Sequence, residues 1–117
     1  MGRLTTHVLD TRDGRPADGM KIDFAVLEDG GWRHLRTVAT NADGRVDEPL
    51  LAAEAMHAGE YRLVFHVAEY FRARGVVLPE PPFLDRVPLR FGIADAAGHY
   101  HVPLLCSPWS YSTYRGS

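Results

Sequence analysis

Residues Gly98–Ser117, with the sequence GHYHVPLLCSPWSYSTYRGS, carry the strongest structural signal in the chain. From His99 to Ser107 apolar side chains fall on alternate positions, which is typical of a half-buried β-strand. A Ser-Pro turn follows, and a second strand at 110–114 leads to the C-terminus. Because chain ends normally fray, the density of histidine, tyrosine and arginine here predicts a terminus that is buried and forms part of an active site.

The rest of the chain consists of short apolar runs separated by glycines and prolines. The 11 glycines and 8 prolines are spread throughout, a pattern typical of an antiparallel β-sandwich. The predicted strands lie at 4–10, 22–28, 32–40, 60–67, 87–94, 99–107 and 110–114, and a further short strand begins at Arg45. About eight such strands are best buried as two packed sheets, so the sequence predicts an all-β, two-sheet sandwich.

One segment favours a helix and another excludes regular structure. Ala68–Arg74 is rich in Ala, Glu and Arg, and Gly75 follows as a C-terminal stop, so we expect one helix of about two turns. Pro79–Pro88 contains four of the prolines and is expected to form an irregular loop.

Length and composition restrict the class of protein. A chain of 117 residues is expected to form one domain, over residues 1–117, that buries its own core. The net charge of -2 gives no support for nucleic-acid binding, and no apolar run is long enough to serve as a signal sequence or membrane span. Cys106 is the only cysteine, which favours a reducing compartment, so we expect a cytoplasmic protein.

Two predicted strands carry a face of mixed polarity. The apolar face of the strand at 99–107 is formed by Tyr100, Val102, Leu104 and Cys106. The opposite face of this strand mixes histidine with apolar residues: His101, Pro103 and Leu105. One face of the strand at 4–10 shows a similar mixture: Thr5, His7 and Leu9. Such faces are too apolar for water and too polar for a core. We expect a second subunit to cover them, with His7 and His101 lining a cleft that encloses a small ligand.

The sequence pattern alone is also compatible with purely structural roles for these residues. Most histidines in proteins are solvated or hydrogen-bonded structural groups, and we assign His34, His57, His66 and His99 to that class. Arg45 follows the turn at 41–44 and is also compatible with a solvated loop. Tyr114 and Arg115 are likewise compatible with an edge strand and a loose tail.

Several motifs together resemble those of the 5-hydroxyisourate hydrolases, the transthyretin-like enzymes of purine breakdown and urate degradation. They occur in the order LTTHVLDT at 4–11, TNADGR at 40–45, HYHVPLL at 99–105 and YRGS at 114–117. The resemblance covers nearly all of Leu4–Ser117. It implies a transthyretin-like two-sheet sandwich that assembles as a homotetramer, with active sites at the dimer–dimer interface.

The resemblance also implies which residues form the site. The catalytic group would be His7, Arg45 and His101, and the substrate-binding residues would be Tyr114, Arg115, Gly116 and Ser117. The reaction would open the ring of 5-hydroxyisourate by adding water to a carbonyl carbon, giving a ureidoimidazoline carboxylate, with no metal or other cofactor.

Each of these residues suits a step of that reaction. An imidazole titrates near neutrality, so His101 is expected to activate water with His7 as its partner, although the sequence leaves their order open. Arg45 offers a planar fork of donors for the substrate and for the oxyanion. In the tail, Tyr114 and Ser117 offer hydroxyls, Gly116 lets the backbone approach the ligand, and the terminal carboxylate is available to Arg115 or to a histidine. Cys106, on the core face, is a poor nucleophile.

Two other classes of function remain open at this point. A zinc-dependent hydrolase would use His99 and His101, which share a strand face, with His7 as the third ligand. A non-catalytic carrier resembling transthyretin would hold an apolar aromatic ligand in the same channel, although histidines and an arginine are a poor lining for such a ligand.

Overall fold

The computed structural model describes all residues from Met1 to Ser117 and contains nine strands and one α-helix. The strands are β1 (Arg3–Asp10), β2 (Arg15–Pro16), β3 (Lys21–Glu28), β4 (Gly31–Ala39), β5 (Leu51–Ala52), β6 (Gly59–His66), β7 (Arg86–Ile93), β8 (His99–Cys106) and β9 (Tyr111–Ser112). The helix, α1, spans Val67–Ala73, and a short 3-10 turn spans Ala53–Ala55. The prediction of an all-β protein with one short helix is confirmed.

The strands form two sheets that pack as a sandwich. One sheet has the order β2-β1-β8-β9, with β5 also paired to β1, and the other has the order β4-β3-β6-β7. The expectation of a wholly antiparallel sandwich is wrong at the centre of the first sheet, where β1 and β8 run parallel from Arg3↔His99 to Asp10↔Cys106. These strands come from opposite ends of the chain, so no tight turn forces them to be antiparallel. The parallel pair brings the two histidine-bearing strands side by side.

The core lies between the sheets and contains the side chains that alternation predicts. Leu4 and Val8 of β1 and Leu104 and Cys106 of β8 are fully buried, and they belong to one hydrophobic cluster with residues of β3, β6 and β7. The intervening residues of β1, among them Thr5 and His7, are only partly buried. The outer face of the β1–β8 pair is therefore the face on which a site can form.

The helix α1 follows β6 directly and packs against the core. Val67, Ala68, Tyr70 and Phe71 are its buried residues, and the Tyr70 hydroxyl donates a hydrogen bond of 2.9 Å to Oδ2 of the buried Asp10. Gly75 has a φ of 84°, the left-handed conformation in which helices commonly end. The predicted helix at 68–74 is thus confirmed within one residue at each end.

The short elements differ from the prediction. Arg45 does not begin a strand and makes one isolated bridge, with His7, whereas the two-residue strands β2 and β5 arise where the sequence shows only turn residues or no signal. Pro88 lies within β7 instead of the loop, which its missing N–H allows because β7 is an edge strand. The last strand is also shorter than predicted, with only Tyr111–Ser112 paired to β8. No helix in the structure has the length and apolar character needed to span a membrane.

Candidate active site

His7 and His101 lie together on the outer face of the central strand pair. The parallel register places Thr5 opposite His101 and His7 opposite Pro103, so the two histidines are diagonal neighbours. Their ring centroids are 6.4 Å apart, and the ring planes are inclined by 42°. A small molecule can therefore touch both imidazoles at once.

A tight turn brings Arg45 to the same place. The side-chain Oδ1 of Asn41 accepts hydrogen bonds from the backbone N–H groups of Asp43 and Arg45, at 2.9 and 3.1 Å. The backbone N–H of Val8 donates to the carbonyl of Gly44 at 2.8 Å, which fixes the turn against β1. Arg45 thereby becomes the backbone neighbour of His7.

Gly44 is required in this turn for two reasons. Its φ of 75° is a left-handed conformation, and a Cβ atom at this position would lie 2.4 Å from the carbonyl oxygen of Val8. Any other residue would strain the backbone and push the turn away from β1. The position of Arg45 therefore depends on a glycine before it.

The tail forms a third backbone contact at the site. His101 and Gly116 exchange two backbone hydrogen bonds, with Gly116 N–H to His101 carbonyl at 2.7 Å and His101 N–H to Gly116 carbonyl at 3.2 Å. A Cβ on Gly116 would lie 3.0 Å from Cβ and 3.1 Å from Cδ2 of His101. Gly116 thus lets the tail backbone lie directly against the imidazole. Its φ is not among the positive values of the chain, so close approach is the reason for a glycine here.

A cavity of about 480 Å³ opens beside these residues. Its lining includes Arg3, Thr5, Arg45, His99, His101 and Ser117. Three of the seven predicted site residues, Arg45, His101 and Ser117, therefore meet at one concave surface. His7 is adjacent to it through its ring contact with His101 and its bridge to Arg45.

The environment of His101 favours its neutral form. Burial is the main cause that lowers its pKa from the usual 6.5, and the nearby Arg45 and His7 lower it further. Nδ1 of this ring is 2.8 Å from the hydroxyl of Thr5. A neutral imidazole at neutral pH is able to accept a proton, as a general base must.

His7 has a tautomer that its hydrogen bond determines. Its Nε2 lies 2.8 Å from the backbone carbonyl oxygen of Asp43. A carbonyl only accepts, so Nε2 carries the proton and donates, and Nδ1 is the unprotonated nitrogen of the neutral ring. The turn that carries Arg45 therefore also orients His7.

Tyr114 and Arg115 lie at a different surface of the chain. Both line a second cavity of about 260 Å³, and the Arg115 guanidinium stacks over the Tyr100 ring at 4.4 Å from its centroid. The expected burial of the tail is wrong for the single chain, since Tyr114 is 59% exposed. Only Gly116 is paired to a neighbouring strand there, so little of the tail is covered. A role for Tyr114 and Arg115 in substrate binding stays a prediction.

The remaining candidate side chains from the sequence are those of His99 and Cys106. Nε2 of His99 donates to the carbonyl oxygen of Met1 at 2.8 Å, and no group of three His, Cys, Asp or Glu side chains is close enough to hold a metal ion. Burial, and to a smaller extent Asp10, raises the pKa of the Cys106 thiol to about 12. Cys106 is thus a core residue and a poor nucleophile, as predicted.

Thr5 is the site residue that sequence analysis missed. Alternation places it on the same face as His7, but only the parallel register shows that it faces His101. The sequence showed that Thr5 shares a strand face with His7. It did not show that two strands from opposite ends of the chain pair with each other, which is what brings Thr5 to His101.

Known proteins resemble this chain along nearly its whole length. Residues 4–116 match the model of the HIUase/Transthyretin family. A protein of Rhizobium meliloti (strain 1021) named 5-hydroxyisourate hydrolase 2 is 67% identical over 117 residues, covering 99% of this chain and 97% of the relative.

Solved structures share the fold as well. The structure of Klebsiella pneumoniae 5-hydroxyisourate hydrolase is 33% identical with a TM-score of 0.81, and both chains are covered in full. The structure of an (S)-allantoin synthase is 46% identical with a TM-score of 0.93; it covers 99% of this chain, which spans only 44% of that longer one. On this sequence and structural evidence, the chain belongs to the HIUase/Transthyretin family.

Proposed function

We propose that the chain is a hydrolase that opens the ring of 5-hydroxyisourate in urate degradation, and that residues 1–117 act as one transthyretin-like hydrolase domain. One observation carries the proposal: three segments remote in sequence bring His7, Arg45 and His101 together beside a cavity. The identity of the substrate is inferred from relatives named 5-hydroxyisourate hydrolase, one of which is 67% identical to this chain.

The first step is attack by water on a ring carbonyl carbon. His101, neutral because its pKa is lowered, accepts a proton from the water as the new C–O bond forms. The carbonyl oxygen then carries negative charge until the bond between this carbon and the ring nitrogen breaks. A proton passes to the departing nitrogen, and the carbon becomes the carboxylate of the 2-oxo-4-hydroxy-4-carboxy-5-ureidoimidazoline product.

Arg45 and His7 supply the complementary charges and protons. Arg45 lines the cavity, and the planar fork of donors that a guanidinium presents suits binding of the polar edge of the substrate and stabilisation of the oxyanion. His7 is a neighbour of both Arg45 and His101, and its unprotonated Nδ1 makes it the second proton carrier. Of the tail residues, Ser117 lines the same cavity, and we expect it to contact the substrate.

We further propose a homotetramer with the active sites at the dimer–dimer interface. Trp109, Tyr111 and Tyr114, which all belong to the C-terminal segment that follows β8, are 62%, 45% and 59% exposed. Large aromatic side chains in one exposed region are typical of a surface that another subunit covers. We propose that Tyr114 and Arg115 take part in substrate binding in this assembly. The lone cysteine fits a cytoplasmic protein, which is the location we propose.

Leu105→Glu tests this assembly. Leu105 is half-buried on the outer face of β8, so a carboxylate there would be buried without a partner in the tetramer but solvated in a smaller species. We expect sedimentation to show dimers or monomers that retain the circular dichroism of the wild type. The control is Leu27→Glu, a partly buried residue of β3 in the other sheet. A tetramer that persists in Leu105→Glu would contradict the proposed interface.

Gly44→Ala tests the dependence of Arg45 on its turn. The Cβ clash with the Val8 carbonyl displaces the turn, and a displacement of about 1 Å is expected to lower kcat by roughly 100-fold. The control is Gly14→Ala, because Gly14 has a similar φ of 69° but nothing within 4 Å of the added Cβ. Equal activity of the two variants would show that the turn does not position the catalytic group.

The function itself is tested by following freshly generated 5-hydroxyisourate in the ultraviolet. The protein is expected to accelerate loss of the substrate far beyond its spontaneous decay, and to do so unchanged after treatment with EDTA. Decay at the spontaneous rate, together with binding of an apolar aromatic ligand, would instead favour the carrier. Activity that disappears with EDTA and returns with zinc would favour the metallohydrolase.

A further inference from the structure

The imidazole of His101 is held on two of its edges. Thr5 lies opposite His101 in the parallel register, and its Oγ1 is 2.8 Å from Nδ1. On another side, the backbone of Gly116 approaches Cγ and Cδ2 so closely that an added Cβ would be 3.4 and 3.1 Å from these atoms. Nδ1 makes the only hydrogen bond of the ring to another part of the chain. Nε2 is therefore the ring nitrogen left for water or substrate.

The hydroxyl of Thr5 is a suitable partner for both charge states of this ring. A threonine hydroxyl accepts or donates, whereas an imidazolium ring only donates. If Thr5 accepts from Nδ1–H, the same hydrogen bond persists when Nε2 takes up a proton. If Thr5 instead donated to Nδ1, the hydroxyl would have to reverse its role at each protonation. The first arrangement requires no rearrangement during proton transfer.

We propose that Thr5 is a positioning residue that holds neutral His101 with its proton on Nδ1, so that Nε2 is the basic atom. The assignment of Nε2 as the base rests on the proposed function, but the assignment of the tautomer does not. The two histidines would then expose different nitrogens, Nδ1 of His7 and Nε2 of His101, because Asp43 and Thr5 hold the other nitrogen of each ring.

Thr5→Val is the decisive variant, because valine keeps the branched shape of threonine and removes the hydroxyl. Thr5→Ser restores a hydroxyl and is the rescue. The matched control is Thr11→Val, since Thr11 Oγ1 also makes a hydrogen bond to β8, donating to the carbonyl of Cys106, but at the far end of the strand pair. All three variants are compared with the wild type by melting temperature to establish that they fold.

The tautomer of His101 distinguishes a positioning role of Thr5 from a merely structural one, because loss of packing alone would leave the tautomer unchanged. It is measured from the ring ¹⁵N chemical shifts of His101, without substrate, at a pH where the ring is neutral. We expect protonated Nδ1 in the wild type, Thr5→Ser and Thr11→Val, and a mixture or the Nε2–H form in Thr5→Val. Protonated Nε2 in the wild type, or an unchanged tautomer in Thr5→Val, would overturn the proposal. This measurement decides the tautomer even if the chain fails to hydrolyse 5-hydroxyisourate.

The kinetic readout tests the consequence for catalysis. In Thr5→Val we expect kcat to fall by about 10- to 100-fold with little change in KM, the range found for groups that orient the imidazole ligands of metal sites. Thr5→Ser is expected to recover most of this loss, and Thr11→Val to remain at the wild-type rate. Wild-type kcat in Thr5→Val despite a changed tautomer would show that Thr5 does not serve the reaction.

Discussion

His101→Ala is expected to lower kcat for 5-hydroxyisourate by about 10²- to 10⁴-fold, the usual contribution of a general acid or base. The loss follows from the position of His101, which lines the cavity and faces Arg45 and His7. Stopped-flow ultraviolet kinetics with the spontaneous decay subtracted measure it. The fold should be retained, because His101 lies on the outer face of β8 and outside the core.

The control for this variant is His57→Ala. His57 is an exposed histidine that does not line the cavity. Its rate should equal that of the wild type. The pH profile of the wild type is a second check: the pKa of His101 lies below 6.5, so kcat/KM should be constant through neutrality and fall as the pH drops through that lower pKa. A profile that falls on the alkaline side alone, or a near-normal rate for His101→Ala, would remove His101 from the role of base.

Arg45→Ala is expected to produce a loss of about 10²- to 10³-fold in kcat, the usual effect of removing one group that stabilises an oxyanion. If Arg45 also binds the substrate before reaction, KM rises in the same variant. Arg45→Lys keeps the charge but not the planar fork of donors, and we expect it to recover only a small part of the activity. Steady-state kinetics of the three proteins separate the two contributions.

The matched control is Arg86→Ala, which removes an exposed arginine from the edge strand β7 of the other sheet. It should have wild-type kcat and KM, because Arg86 is absent from the cavity lining. Full activity in Arg45→Lys would show that charge alone is sufficient, and full activity in Arg45→Ala would place the oxyanion site elsewhere.

Local pattern was sufficient to predict much of the fold. Alternation along 4–10 and 99–107 identified the core face and the outer face correctly, because side chains of a strand alternate whatever its partners are. The helix boundary was also predictable, since Gly75 supplies a stop that depends on local conformation. His7 and His101 were therefore found from sequence as members of the outer face.

Pairing between distant segments was not predictable from local pattern. The parallel contact of β1 with β8 joins residues about 96 positions apart, as Thr5 and His101 are, and nothing in either strand specifies its partner or direction. The same holds for Arg45, whose single bridge to His7 replaces the predicted strand, and for β2 and β5, which are too short to show a period. The role of Thr5 depends entirely on that pairing.

The most direct test of the account is the rate of 5-hydroxyisourate loss in the variant with His7, Arg45 and His101 all replaced by alanine, beside the wild type and the three single variants. Residues that act as one unit have non-additive effects, so the triple variant should be little slower than the worst single variant and close to spontaneous decay. A folded triple variant that still accelerates the reaction as the wild type does would contradict the claim that these three side chains form the catalytic centre.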